Sequence, residues 1–232
     1  MSPFLMNMDD GWSALVAHYE RCLERHGSTP RGVDWPNVPD LAVRFHTLLG
    51  VLDDTASEPR PVLLDLGCGP GLLLDYLRAT GRLNTIEYRG IDLSPAMVAA
   101  ARARWPDREF SCRDVVKDPL PERGVDYVIM NGVLTEKQTL SHEVMAGIAK
   151  ELITAAFTAA RVGIAFNTMS RHVDWQRSDL FHWGFDELSA FLCERVSRHY
   201  AFRSDYGLYE QTTFVWRAPR RAPALQAGWC TT

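Results

Sequence analysis

The residues best suited to chemistry stand together in Pro61–Gly71, read P-V-L-L-D-L-G-C-G-P-G. Asp65 is followed by Gly67, Gly69 and Gly71 at alternate positions, with Cys68 between the first two. Glycine has no Cβ, so such a turn can take positive φ and let a ligand lie against bare backbone. The spacing D-x-G-x-G-x-G departs from the G-x-G-x-x-G that seats a pyrophosphate on a helix start. A carboxylate just before the glycines repels a pyrophosphate and suits a ligand with an amino group. A second carboxylate, Asp92 in G-I-D-L-S-P, stands at the tip of the next apolar run, where a ribose diol is commonly held.

These groups need elements to hold them. Val62–Leu64 is a short apolar run, and L-L-L-D-Y-L-R after the glycines has helical spacing, so the stretch reads as buried strand, tight turn and helix start. The first helical amides then point at the ligand, with the positive end of the dipole behind them. Ser94-Pro95 repeats the pattern as an N-cap followed by proline at the first helical position. Strands are expected near 62–66, 86–91, 108–113, 125–130, 161–166, 197–203 and 210–217. Helices are expected near 71–80, 95–104, 142–160 and 186–195. The alternation predicts an α/β fold, a doubly wound, mostly parallel seven-stranded sheet with helices on both faces. The short loop D-Y-G-L joins the last two strands as an antiparallel hairpin.

Two helices precede the first strand. Trp12–His26 carries Trp12, Leu15, Val16, Tyr19 and Leu23 on one stripe, and Pro39–Leu52 carries Leu41, Phe45, Leu48 and Leu49. They predict a helical lid over 1–56, a ligand-binding core over 57–217 and, from its small residues and prolines, a mobile tail over 218–232.

Composition narrows the function. The 232 residues can bury a proper core, and 46% apolar with 23% charged side chains is ordinary for a globular protein. The net charge of −4 comes with no basic run, which disfavours nucleic acid as a partner. Five scattered cysteines form no zinc pattern and require no oxidising compartment, so no metal is expected. No signal peptide and no membrane-spanning run is read, so a cytoplasmic chain, monomer or homodimer, is expected.

Taken together, the loop Asp65–Gly71 and the acidic tip Asp92 resemble the class I S-adenosylmethionine (SAM) methyltransferases, over roughly residues 60–217. A Rossmann-like domain for another nucleotide, or a catalytically silent SAM-fold partner, stays open beside this. The resemblance implies SAM as cofactor and S-adenosylhomocysteine (SAH) as product. It implies that Asp65, Gly67, Cys68, Gly69 and Gly71 line the methionine part and that Asp92 takes the ribose hydroxyls. Leu93 and Met97 then lie against the adenine. Asp114, with Val115, meets the adenine amino group, unless it is a helix cap. Asn131 faces the sulfonium and the acceptor, unless it starts a turn with Gly132. Arg44 reaches the SAM carboxylate from the lid with Tyr19 and Trp35 nearby, or else is a solvated surface arginine. No D/N-P-P-Y motif follows the fourth strand.

Ligands of open α/β sheets bind outside the carboxyl ends of the strands. The segments leaving those ends carry Glu136, Asn167, His172, Asp174, Trp175, Asp205, Tyr206, Tyr209 and Glu210. Carboxylates mixed with aromatic rings suit a small cationic acceptor, an amine or guanidine held among Glu136, Tyr206 and Glu210. The alternative is a sugar or other hydroxyl acceptor, with His172 as base. A solvated edge is the plain alternative for each residue.

Overall fold

A computed structural model describes residues 8–52 and 60–220. The expected tail lies mostly outside the described residues. Fourteen named elements follow in order: α1 (Met8–His26), α2 (Val38–Leu48), β1 (Val62–Leu66), α3 (Leu72–Ala79), β2 (Glu87–Asp92), α4 (Pro95–Arg104), β3 (Glu109–Cys112), β4 (Val125–Leu134), α5 (His142–Ala159), β5 (Ala160–Ser170), β6 (His182–Trp183), α6 (Phe185–Arg195), β7 (His199–Arg203) and β8 (Glu210–Trp216). Short 3₁₀ turns occupy Pro30–Val33 and Leu49–Val51.

The sheet runs β3-β2-β1-β4-β5-β8-β7. All pairs up to β5 are parallel, and β8 lies antiparallel between β5 and β7. The expected seven strands are present. An eighth, β6, adds two residues against Met169 and Ser170, too short for a periodic signal in the sequence. β4 and β5 run four residues past their expected ends. Strand order reverses at β1, between β2 and β4, which is where an open α/β sheet forms its ligand crevice.

Period-two alternation divides the core between the two faces of the sheet. Leu64, Leu66, Val128, Met130 and Ile164 pack with α5, α6 and Leu15 of α1. Leu63, Tyr127, Ile129, Ala165 and Phe214 pack with α2, α3 and α4. Thus the two N-terminal helices have different roles. Leu41, Phe45 and Leu48 bury α2 against the second face, so α2 completes the core. α1 stands by the strand tips. No described helix is long and apolar enough to cross a membrane.

Leu48 has 0% exposure. Leu48→Ala should lower stability in urea by about 2–5 kcal/mol, the cost of a core cavity. A chain starting at Arg60 should show no cooperative unfolding transition; a native-like transition in that truncation would make α2 dispensable.

Candidate active site

The site is built on the turn between β1 and α3. Gly67, Gly69 and Gly71 have φ of 79°, 52° and 80°, in the left-handed region. The Gly67 and Cys68 amides donate to Ile91 O at 2.7 and 3.0 Å, fastening the turn to β2. At Gly67 there is no room for a side chain, since a Cβ would come within 2.2 Å of Val133. Arg104 donates to Pro70 O at 2.6 Å and braces the turn from outside.

Two cavities meet at this turn and share Val33, Trp35, Gly67, Gly69 and Asn131. The larger holds about 890 Å³ of empty space including its open mouth, within the range of small-molecule sites. Tyr19, Asp92, Leu93, Met97, Asp114, Val115 and Asn131 line it, as expected from the sequence. Asp65, Cys68, Gly69 and Asn131 line the smaller.

The carboxylates differ in their support. Asp92 accepts from the Gly69 amide at 2.8 Å and the Ser94 amide at 2.9 Å. Burial pushes its carboxyl up, and these amides pull it back. Asp65 accepts from Tyr88 OH at 2.9 Å. Burial raises it to about 7, more than the Tyr88 hydrogen bond offsets, and Asp92 adds to the rise. A cationic ligand beside Asp65 would restore its charge. Asp114 accepts from the Val116 and Lys117 amides at 3.0 and 3.3 Å, so it caps the chain locally while lining the cavity.

Asn131 lies inside β4, where the pairing with β5 shifts register between Met130 and Leu134. Its neighbour Gly132 has φ of 79°, so the Asn-Gly pair makes a bulge rather than a turn. Asn131 Oδ1 is buried without a hydrogen-bond partner.

Six candidate site residues line neither cavity. Gly71 packs under Trp105 and Phe110 and lines neither cavity. Arg44 is turned away from the cavities: its Nε lies 2.7 Å from Glu210 Oε1, and its guanidinium stacks 3.9 Å over Trp35. Glu210 is therefore a buried partner of Arg44 and of Asn167 Nδ2 at 2.6 Å, closed to a cationic acceptor. Tyr206 spends its hydroxyl on Thr212 Oγ1 at 3.0 Å, and burial raises its pKa. His172 is exposed, stacks on Phe185 at 5.4 Å and lines neither cavity. Asp174, Trp175, Asp205 and Tyr209 are exposed as well. Glu136 sits near α1, 3.5 Å from His18 Nε2, with its carboxyl raised to about 7 by burial and by Asp34.

Sequence reasoning missed several contributors. Trp12, Leu15 and Val16 of α1 line the large cavity, although an apolar stripe alone does not tell core from ligand wall. Glu20 Oε1 accepts from Ser94 Oγ at 2.6 Å and ties α1 to the β2 tip. Asn167, expected at the strand ends, has a different role: its Oδ1 accepts from the Gly132 amide at 2.8 Å and holds the β4 bulge.

A glycine turn at the switch point of a parallel sheet, an acid at each of the first two strand tips and an antiparallel last strand define a class I methyltransferase. A methyltransferase-domain family model matches residues 63–152. The chain is 38% identical over 162 residues to Rv1506c of Mycobacterium tuberculosis, whose name places it among methyltransferases; the match covers 66% of this chain and 92% of that protein. Trans-aconitate 2-methyltransferase of Methylobacterium radiotolerans is 42% identical over 77 residues, only 33% of this chain and 28% of that enzyme. Among solved structures, the 1,6-didemethyltoxoflavin-N1-methyltransferase of Burkholderia thailandensis superposes with a TM-score of 0.59 at 17% identity, covering 93% of this chain and 92% of that one. The magnesium protoporphyrin IX methyltransferase of Synechocystis with SAH gives 0.58 at 16% identity, covering 90% and 97%. The chain belongs to the class I SAM-dependent methyltransferases, and SAM is its cofactor.

Asp65 gives a pH test. Its folded pKa lies above the unfolded value of 3.8, so it favours the ligand-free fold at low pH and loses that contribution as pH rises through about 7. Without ligand, the wild type should lose more thermal stability between pH 5 and 8 than Asp65→Asn does. Equal pH slopes in differential scanning calorimetry would contradict the raised pKa.

Proposed function

We propose that this enzyme methylates a small polar acceptor and that the methylated atom is a nitrogen. The observation that carries this reading is Asn131, a residue that lines both cavities and whose Oδ1 is buried without a hydrogen-bond partner. A buried carbonyl oxygen without a partner is unfavourable, and an acceptor N–H satisfies it. Accepting that hydrogen also turns the nitrogen lone pair to one side.

The walls favour nitrogen over oxygen. Neither cavity has a His or Glu among its described lining residues. A hydroxyl acceptor needs a base, whereas a neutral amine brings its own lone pair. Methylation of a carboxylate, the chemistry in the name of the trans-aconitate enzymes, needs no base but does need a cationic holder. Here the lining carries Asp65, Asp92 and Asp114. Among the described lining residues the one cation, Arg113, already binds Asp118 Oδ1 and the Pro119 carbonyl, at 2.8 and 2.9 Å.

The bound cofactor supplies an electrophilic methyl on a sulfonium. The chain's residues position and shield. Asp65 takes the cofactor's amino group, Asp92 its ribose hydroxyls, and Leu93, Met97 and Asp114 its adenine. Trp35 and Tyr19 close the wall and keep water out. Asn131 holds the acceptor nitrogen. Arg44 and Glu210 act one step back, through Trp35 and Asn167. Without Glu136, Tyr206 and Glu210 on the wall, the acceptor is held by shape and by Asn131 rather than by an ion pair.

Turnover of ¹³C-methyl SAM with panels of amines, guanidines and sugars, read by NMR, assigns the methylated atom; a label found on oxygen would refute the nitrogen reading. Asn131→Ala should lower kcat about 10-fold or more while SAH affinity stays within about 3-fold. Asp92→Ala should instead weaken SAH binding by about 1–3 kcal/mol in calorimetry.

A further inference from the structure

Beside the cofactor cavity, on the outer side of α1, three ligand-type side chains converge. His18 and Cys22 are four residues apart and so share one helix face. Asp34 approaches from the residue that ends the Pro30–Val33 turn, where its φ of 58° is left-handed. His18 Nε2, Cys22 Sγ and an Asp34 carboxylate oxygen all lie within 4.8 Å of one another. From His18 Nε2 the distances are 2.9 Å to Asp34 Oδ2, 3.8 Å to Cys22 Sγ and 3.5 Å to Glu136 Oε2.

Strong hydrogen donors are few in this cluster, and the Cys22 thiol is a weak one. Two carboxylates and a sulfur surround a single imidazole nitrogen that has at most one N–H to give. Gln138 Nε2 satisfies Glu136 Oε2 at 2.6 Å and nothing else in the cluster. A divalent cation would satisfy the nitrogen, the sulfur and the Asp34 carboxylate together. Bond lengths of about 2.0–2.3 Å put neighbouring ligand atoms of a tetrahedral zinc about 3.3–3.8 Å apart. The separation of His18 Nε2 from the sulfur already matches, and Asp34 has to move out only slightly. One nitrogen, one thiolate and one carboxylate form a mixed set of borderline softness, which suits Zn²⁺ and disfavours Mg²⁺ or Ca²⁺. His18 and Cys22 are half-buried and Asp34 is exposed, so an ion can enter from solvent.

We propose that His18, Cys22 and Asp34 form a zinc-class metal site that fastens α1 to the 30–34 turn, with the fourth position left to solvent. Only one ligand is a cysteine, so cysteine spacing could not reveal it. The metal is structural: its ligands line neither cavity.

The test uses tag-free full-length protein, stripped with chelator and titrated with Co²⁺ alone. One equivalent should bind and give the intense visible bands of tetrahedral Co²⁺ with a thiolate-to-metal charge-transfer band, and Zn²⁺ should displace it. Cys22→Ser should abolish the charge-transfer band, and His18→Ala should weaken binding at least 10-fold. A Cys112→Ser/Cys193→Ser variant should keep the full spectrum. Zn²⁺ should raise the melting temperature of the wild type and leave Cys22→Ser unmoved. A hexa-aquo Co²⁺ spectrum at protein concentrations of about 100 μM would overturn the proposal. So would a charge-transfer band that survives Cys22→Ser, because it would place the metal on another cysteine.

Discussion

The shape of the candidate site depends on one ion pair that lines neither cavity. Arg44 of α2 and Glu210 at the start of β8 meet at 2.7 Å with almost no exposure to water. Each charge is costly to bury, and neither is tolerable without the other. Burial pushes the Glu210 carboxyl up, while Arg44 and Asn167 oppose that push. The pair then acts in two directions. Through Asn167 it reaches the Gly132 amide and holds the β4 bulge that presents Asn131. Through the guanidinium it supports the Trp35 indole, which packs on Gly132 and lines both cavities. Deleting either charge would leave the other stranded, so the wall would move even though no cavity-lining atom had changed.

Asp65 and Asp92 show how one residue type takes two roles from its surroundings. Asp92 receives two backbone amides, which fix its orientation with or without ligand. Asp65 receives one phenol in a site that strongly disfavours its charge. The first is preorganised, and the second stays partly protonated until a cation arrives. A cation bound beside Asp65 would have to displace that proton, so its binding there would strengthen as pH rises through about 7.

The frame of the fold could be read from the sequence because its signals are local. Val62–Leu66, Gly67–Gly71 and Ser94-Pro95 each specify their own conformation, and the structure places a strand, a left-handed turn and a capped helix there. The outer edge of the site could not be read in the same way. Topology says which end of a strand faces the ligand but not which way a side chain points. In β8 the residues from Glu210 to Val215 are all buried, so no alternation separates an inward carboxylate from one at the site. Arg44 was visible as a charge on an apolar helix, yet its partner lies 166 positions further on. The bulge at Asn131–Gly132 reads as a turn in the sequence, because Asn-Gly serves both. Only the pairing of β4 with β5 resolves it.

The position of α1 follows from what its apolar stripe touches. Leu15 is buried in the core, but Trp12, Val16 and Tyr19 border the cofactor cavity. Part of the stripe therefore faces the cavity rather than the core. The polar side of the helix adds Glu20 on Ser94 and His18 beside Asp34 and Glu136. Neutral or exposed polar contacts of this kind contribute about 0.5–1.5 kcal/mol each. That is enough to seat a helix already packed at Leu15 and too little to lock it. Occupying the cavity stabilises the docked helix by the same free energy that the docked helix lends to binding. α1 is thus held by Leu15 and a few polar contacts, whereas α2, buried at Leu41, Phe45 and Leu48 and anchored by Arg44, cannot move without opening the core.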